Sequence, residues 1–156
     1  YECRHNIGYW TRENYLGLGL GAASLVDNVR YSNTRELDEY TAICHDLTIL
    51  PPEAFAPEDG MAAPERNWFG SNLHTEATVV SRKGQMEEFM FLGLRMTDGI
   101  SRNEFEHNFG MPIEAAYVQV LPELQAQGLI EKREGRIYLT DRGMDVANYV
   151  MAQFLL

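Results

Sequence analysis

The sequence predicts an α+β fold in three parts: strands and a helix in residues 1–45, a linker or irregular excursion in residues 46–84, and a winged-helix-like domain in residues 85–156. Three observations support this division. A glycine-rich strand pattern lies near the start, four of the six prolines fall within residues 51–64, and capped helices with a hairpin occupy the last part. Because proline interrupts both helix and sheet, the proline-rich segment is the expected boundary.

Composition indicates a globular protein of one or two small domains, since 156 residues with 45% hydrophobic and 11% aromatic content can bury a core. The formal net charge of −10 repels polyanions and argues against a nucleic acid partner. No apolar run approaches a membrane span, and no signal peptide pattern opens the chain. We therefore expect a cytoplasmic protein without a transmembrane segment. The start in mid-motif, without Met, predicts a fragment of a longer protein.

The first elements are predicted from glycine spacing. Residues 15–20 alternate a bulky side chain with glycine, which is typical of a strand packed closely against a neighbour. A tight turn follows at residues 21–24. Residues 24–31 then predict a second short strand or a hairpin, with Asp27 and Asn28 at its turn. Close packing and ligand lining explain the glycines equally well.

A helix is predicted to begin after Asn33 or Thr34, either of which can cap it. Its apolar positions recur at helical spacing and place Cys44 on the buried face. Cys3 and Cys44 form no Cys-x-x-Cys motif, which suits a reducing compartment. Residues 73–80 predict a further strand, in which His74 is expected to be exposed or hydrogen-bonded rather than bound to a metal.

The last part predicts three helices, a hairpin and a final helix. The first helix is predicted over residues 85–96, and the second begins with a capping box from Ser101 to Glu104 and ends at Gly110. The third begins at Pro112 and ends at Gly128, with a kink or a shifted start at Pro122. The hairpin turns at residues 133–135, and Thr140 begins the last helix. Most winged helices bind DNA through the third helix. Residues 113–127 contain no Lys or Arg, so we expect an interaction or lid-like role instead.

The stretch Cys3-Arg4-His5-Asn6-Ile7-Gly8-Tyr9-Trp10 brings an imidazole and two large aromatic rings together at the start of the chain. A Gly-x-Gly-Ala-x-Ser turn follows at residues 19–24, and the run Met86-Glu87-Glu88-Phe89-Met90-Phe91-Leu92-Gly93-Leu94-Arg95 comes later. These motifs resemble the C-terminal half of the radical SAM haem chaperone HemW family, also described as oxygen-independent coproporphyrinogen III oxidase-like. The resemblance covers nearly the whole chain and is weakest between residues 46 and 80.

The resemblance implies that residues 1–45 form the edge of an incomplete radical SAM-type barrel whose N-terminal half is missing from this chain. The family's Cys-x-x-x-Cys-x-x-Cys motif is also absent from the sequence. The 4Fe-4S cluster and S-adenosyl-L-methionine would therefore be held upstream, and the chain alone is expected to be catalytically inactive. The resemblance further implies haem and haem-accepting client proteins as partners.

By the same resemblance, His5 is the axial ligand to the haem iron, and Asn6 helps order its segment. Tyr9 and Trp10 would lie against the flat, apolar macrocycle. The alternative from the residues alone is a histidine that hydrogen-bonds to backbone at a strand start, with both aromatic residues in the core.

Further members of the predicted site follow from the resemblance as well. Arg4 or Arg12 would meet the haem propionates through charge-assisted hydrogen bonds. Gly19, Gly21 and Ala23 complete the predicted cofactor-binding set, although the family usually has His where Ala23 stands.

Three functions are thus open. The first is the haem-binding part of a haem chaperone, active in haem trafficking and tetrapyrrole metabolism. The second is a fragment of an oxygen-independent coproporphyrinogen III dehydrogenase of haem biosynthesis, and the third is a winged-helix module for DNA binding or interaction. The His-Asn-x-x-Tyr-Trp string favours the chaperone. No hydrolase motif competes with these functions.

Overall fold

The computed structural model describes residues 3–47 and 73–156, so the predicted proline-rich excursion lies largely outside the described residues. The described residues form two compact units. One combines those up to Glu13 with Arg82–Leu156, and the other comprises those of Asn14–Ser81. The predicted parts 1–45, 46–84 and 85–156 do not coincide with these units, because the first helix packs against a helix of the C-terminal part.

Helix α1 (Arg4–Trp10) comes first. It ends at Thr11, whose hydroxyl donates a hydrogen bond to the Ile7 carbonyl oxygen at 3.0 Å. Arg12 then takes a left-handed conformation with a φ of 59°, which turns the chain away from the helix axis. The alternative that placed His5 at a strand start is therefore wrong.

The predicted strand over residues 15–20 is also wrong. Of this described segment, Tyr15 alone pairs, in an isolated bridge with Leu25. Leu18 is 84% exposed, so the alternating pattern does not mark a buried face. Gly19 and Gly21 have φ values of 107° and 65°, which a strand does not allow. The glycines serve a folded-back loop instead of a flat strand.

The predicted hairpin is confirmed in strands β1 (Ala23–Val26) and β2 (Val29–Asn33). Asp27 and Asn28 form its turn with φ values of 49° and 64°. Two successive left-handed residues give the turn that matches the twist of a hairpin. The predicted third strand is confirmed as β3 (His74–Val79), which pairs antiparallel with β2.

Helix α2 (Leu37–Leu47) follows the hairpin. The Thr34 hydroxyl oxygen accepts a hydrogen bond from the Glu36 amide at 3.2 Å just before the helix, which agrees with Thr34 as the start residue. Cys44 is half-buried rather than buried. The reason is that its helix face is only partly covered within the described residues, where Leu37 on the same face is 61% exposed.

The unit with α1 contains the remaining elements. They are α3 (Arg82–Gly93), β4 (Ile100–Ser101), α4 (Arg102–Phe109), α5 (Ile113–Ala116), α6 (Val120–Ala126), β5 (Ile130–Arg133), β6 (Arg136–Leu139), α7 (Asp141–Asp145) and α8 (Ala147–Ala152). The strands form an antiparallel sheet in the order β4-β6-β5. The fully buried core is rich in aromatic and branched side chains: Phe105, Ile113, Tyr117, Leu121, Leu124, Ile137 and Phe154.

The predicted helix boundaries of this unit rest on caps that the structure contains. The Ser101 hydroxyl accepts from the Glu104 amide at 3.2 Å, and Gly110 ends α4 with a φ of 62°. The predicted third helix is interrupted at residues 117–119, and Pro122 lies in the first turn of α6, where its missing N–H costs nothing. The mixed helix and sheet prediction is confirmed, while the winged-helix and incomplete-barrel interpretations stay predictions.

Candidate functional site

The predicted haem-contacting residues of α1 divide between two faces of the helix. His5 and Tyr9 are one turn apart, and their rings meet edge to face with centroids 4.8 Å apart and planes at 80°. Asn6 and Trp10 form a second pair one turn apart, about 100° further round the axis. The imidazole and the indole therefore do not face the same side.

The imidazole of His5 is exposed, and Tyr9 is 38% exposed. Arg4 and Asn6 are exposed on the same helix, whereas Trp10 is half-buried. Tyr9 is thus not a core residue, which contradicts the alternative in which both aromatic side chains belong to the core. An exposed imidazole nitrogen can ligate a metal ion, and an adjacent aromatic ring can pack against a flat ligand.

Of the two arginines expected to meet propionates, Arg12 has a protein partner. Its Nε lies 2.8 Å from Glu88 Oε2 on α3, and both side chains are 11% exposed. This ion pair holds the end of α1 against α3. The exposed Arg4 is the cation of α1 that remains accessible to an anionic ligand.

Trp10 lies between two cavities. The larger has a volume of about 470 Å³ and is lined by Trp10, Leu94, Arg95, Met96, Thr97, Tyr138, Leu139, Met144, Ala147 and Met151. The smaller has a volume of about 310 Å³ and is more polar, with Glu13, Ser101, Glu104 and Asn108 among its lining residues. Met96 also contributes to both. His5 and Tyr9 line neither of these two cavities.

The predicted glycine positions lie in the other unit, in the loop before β1. A Cβ at Gly17 would lie 2.3 Å from the Ala23 carbonyl oxygen, so close packing explains this glycine. A Cβ at Gly19 would meet no atom within 4 Å, so its φ of 107° is what requires glycine there. Gly21 donates its N–H to the Thr34 carbonyl oxygen at 2.9 Å. The side chain of Ala23 is exposed at the start of β1.

Sequence reasoning treated Asn33 only as a helix cap and missed its part in holding this loop. The Asn33 amide nitrogen donates to the carbonyl oxygens of Gly17 at 3.2 Å and Gly19 at 2.8 Å. Its oxygen contacts Nδ1 of His74 at 3.1 Å, which confirms His74 as a hydrogen-bonded residue. Burial lowers the pKa of His74 below its ordinary value. The burial of Asn33 and its position beside the glycine loop arise only in the folded chain, so no local sequence signal indicated this clamp.

The part of the chain that the structure describes contains no group of three or more His, Cys, Asp or Glu side chains placed to hold a metal ion. In the same residues, no helix combines the length and the apolarity needed to cross a bilayer. The chain has two cysteines, and Cys3 is exposed while Cys44 is half-buried.

Comparison with known proteins places the chain within a set of related sequences. Residues 80–146 match the family model described as HemN C-terminal domain. The chain is 33% identical over 156 residues to the heme chaperone HemW of Lactococcus lactis subsp. lactis (strain IL1403), covering 100% of this chain and 35% of that protein. It is 30% identical over 154 residues to the heme chaperone HemW of Bacillus subtilis (strain 168), covering 99% of this chain and 35% of that protein.

Among solved structures, the chain resembles that of coproporphyrinogen III oxidase (HemN) from Escherichia coli, which is described as a radical SAM enzyme. The TM-score is 0.59 at 16% identity, over 91% of this chain and 28% of that one. At this identity the likeness shows the fold alone. The chain spans about a third of the length of the curated relatives it matches.

The chain is thus a mixed helix and sheet protein with the fold of part of a coproporphyrinogen III oxidase. More narrowly, it resembles the HemW and oxygen-independent coproporphyrinogen III oxidase-like family over its full length, which confirms the resemblance drawn from its motifs.

Proposed function

We propose that this chain is the haem-binding part of a haem-trafficking protein, with His5 as the axial ligand to the iron of the haem it carries. The observation that supports this proposal is the accessible imidazole of His5 with the Tyr9 ring against it. Similarity along the whole chain to proteins named heme chaperone HemW supports the same conclusion.

The residues present suit a haem cargo chemically. A neutral imidazole nitrogen is a usual proximal ligand, and the hydrogen bond at the other ring nitrogen tunes it. Tyr9 offers an aromatic surface to the macrocycle, and Arg4 offers a cation to the propionates. Asn6 and Trp10 lie on the neighbouring face of α1, where we assign them to holding the helix and the edge of the ligand.

Gly19, Gly21 and Ala23 are retained as proposed ligand-contacting positions of their own unit. Gly19 supports this role best, because open space surrounds the position where a Cβ would stand. The Gly21 amide is already engaged with the Thr34 carbonyl oxygen, so its contribution is to the shape of the loop.

In a longer parent protein, a 4Fe-4S cluster and S-adenosyl-L-methionine would be held outside this chain, since its two cysteines cannot supply three thiolates. The protein partners would be clients that accept haem, and the protein would act in the cytoplasm. We also assign the elements from α3 to α8 to a winged-helix-like interaction domain rather than a DNA-binding one, because α6 carries Glu123 and no basic residue.

The test is a haemin titration followed by the Soret band. We expect the chain to bind haemin saturably. His5→Ala should weaken the haemin affinity at least about tenfold and change the Soret spectrum. His107→Ala, at a matched exposed histidine on α4, should change neither the affinity nor the spectrum. Unchanged affinity and spectrum in the His5→Ala chain would remove His5 as the ligand. Tyr9→Leu should weaken binding without altering the ligand-field bands, because the ring packs but does not coordinate.

A further inference from the structure

The larger cavity next to Trp10 has the composition of a small-molecule site. Its volume of about 470 Å³ falls within the range of ligand pockets, about 300–1,000 Å³. Its walls are mainly apolar and rich in thioethers: Trp10, Leu94, Met96, Leu139, Met144 and Met151. Methionine side chains adapt to irregular apolar ligands, so the cleft suits a molecule with a flexible or flat apolar body.

Arg95 is the charged residue among those that line this cleft. Its side chain is exposed, and no ion pair or side-chain hydrogen bond joins it to another described residue. Two other arginines of this unit are already engaged, since Arg102 lies 2.7 Å from Glu114 and Arg136 donates to the Asp98 carbonyl oxygen at 2.6 Å. In a chain with a net charge of −10, an unpaired guanidinium beside an apolar cleft provides local attraction for an anion.

We propose that this cleft binds an amphipathic carboxylate, with the apolar body against Trp10 and the methionines and the carboxylate on the Arg95 guanidinium. Burial of the apolar body supplies affinity, and the planar fork of arginine matches the two oxygens of a carboxylate. A fatty acid and the propionate edge of a tetrapyrrole share this chemistry. The site does not involve His5, so it stands or fails independently of the proposed iron ligand.

Dodecanoate is the probe, and Trp10 fluorescence in a Trp68→Phe background is the readout, supported by methyl NMR of the methionines. We expect saturable binding at one site, with shifts confined to Met96, Met144 and Met151. Arg95→Gln should weaken dodecanoate binding at least about tenfold, because a charge-assisted hydrogen bond is lost. Arg142→Gln makes the same charge change on an exposed arginine that does not line the cleft and should leave the affinity unchanged.

Dodecanol has the same chain without the carboxylate and should bind at least about tenfold more weakly than dodecanoate. Arg95→Lys should restore part of the lost affinity, which guards against a folding defect in Arg95→Gln. The proposal is overturned if Arg95→Gln binds dodecanoate as tightly as the parent chain, if dodecanol binds equally well, or if no saturable binding occurs.

A competition experiment distinguishes the two sources of the carboxylate. Dodecanoate binding to the His5→Ala chain is measured by calorimetry with and without haemin. Displacement by haemin supports the site with a tetrapyrrole propionate as the natural ligand. If haemin leaves dodecanoate binding unchanged, the result supports the site with a fatty acid as its natural ligand.

Discussion

The Nε atom of Arg12 lies 2.8 Å from Oε2 of Glu88, and this pair joins the end of α1 to α3 in a setting where each side chain is 11% exposed. Arg12 also holds the left-handed conformation that ends the helix region. The position of the helix that carries His5 thus depends on a salt bridge from a residue many positions later in the sequence.

Removing Arg12 takes away the guanidinium that lies 2.8 Å from a poorly solvated carboxylate. We expect Arg12→Ala to lower the free energy of unfolding by about 3 kcal/mol. The double change with Glu88→Ala should cost less than the sum of the single changes, because the carboxylate that lost the Arg12 guanidinium is then gone as well. Urea unfolding measures all three variants. Glu131→Ala, from a pair at 3.7 Å with half-exposed side chains, is the control and should change stability by less than about 0.5 kcal/mol. If the two single changes in the free energy of unfolding summed to that of the double variant, Arg12 and Glu88 would not be coupled.

The different surroundings of Gly17 and Gly8 predict opposite effects of alanine at these two positions. Gly17→Ala places a Cβ 2.3 Å from the Ala23 carbonyl oxygen and should destabilise its unit by about 1–3 kcal/mol. Gly8→Ala, inside α1, meets only the flexible end of Glu13 at 3.3 Å and should stabilise the protein by up to about 1 kcal/mol. Hydrogen exchange of the β1 and β2 amides measures the effect of Gly17→Ala, and urea unfolding measures the effect of Gly8→Ala. Equal effects of the two substitutions would contradict the loop geometry.

Tyr117 is 1% exposed, and its hydroxyl has no hydrogen-bond partner within the described residues. Burial, with the charge of Glu87 second, raises the pKa of this hydroxyl. Because an unsatisfied buried hydroxyl costs desolvation energy, Tyr117→Phe should leave stability unchanged or raise it by about 1 kcal/mol. Tyr117→Ala should cost about 3–5 kcal/mol through loss of packing, including the edge-to-face contact with Phe154 at 5.1 Å. Thermal unfolding compares the two, and a marked loss in the phenylalanine variant would reveal an unrecognised partner for the hydroxyl.

Glu114 links α5 to two basic residues, with Arg102 at 2.7 Å and Lys132 at 3.4 Å. Desolvation acts to raise the pKa of Glu114, but a hydrogen bond with its own backbone and the charges of Arg102 and Lys132 lower it overall. A carboxyl group with a depressed pKa stabilises the fold above its ordinary value of 4.5, and this contribution is lost as the pH falls through the folded-state pKa.

We therefore expect Glu114→Gln to reduce the free energy of unfolding by less than about 1 kcal/mol at pH 7, since the group is partly exposed, and by progressively less below pH 4.5. Denaturant unfolding from pH 7 to pH 3 measures the difference between the two chains. Glu106→Gln, at an exposed position of α4, is the matched control. If the difference in free energy of unfolding between the parent chain and Glu114→Gln grew as the pH fell, the pKa of Glu114 would not be lowered in the folded chain.

Local signals in the sequence determined much of the fold. Asp27 and Asn28 favour left-handed backbone, so the hairpin turn followed from residue types alone. Ser101 with Glu104, Gly110 and Pro122 likewise set helix ends through interactions within a few residues, and the structure contains them. The string from His5 to Trp10, the turn at residues 19–24 and the run from Met86 to Arg95 together indicated the related proteins without any need for coordinates, and the comparisons confirm that resemblance.

The tertiary structure decided what depends on contacts between distant parts of the chain. Periodicity at residues 15–20 suggested a strand, but Asn33 fixes the Gly17 and Gly19 carbonyl oxygens and holds the segment as a loop. Spacing could not show that Arg12 pairs with Glu88, since burial and partner choice arise only when α1 packs on α3. The same packing brings Trp10 and Arg95 to the wall of one cavity. The helical conformation of α1 separates Trp10 from His5, because side chains five positions apart on a helix point to different sides.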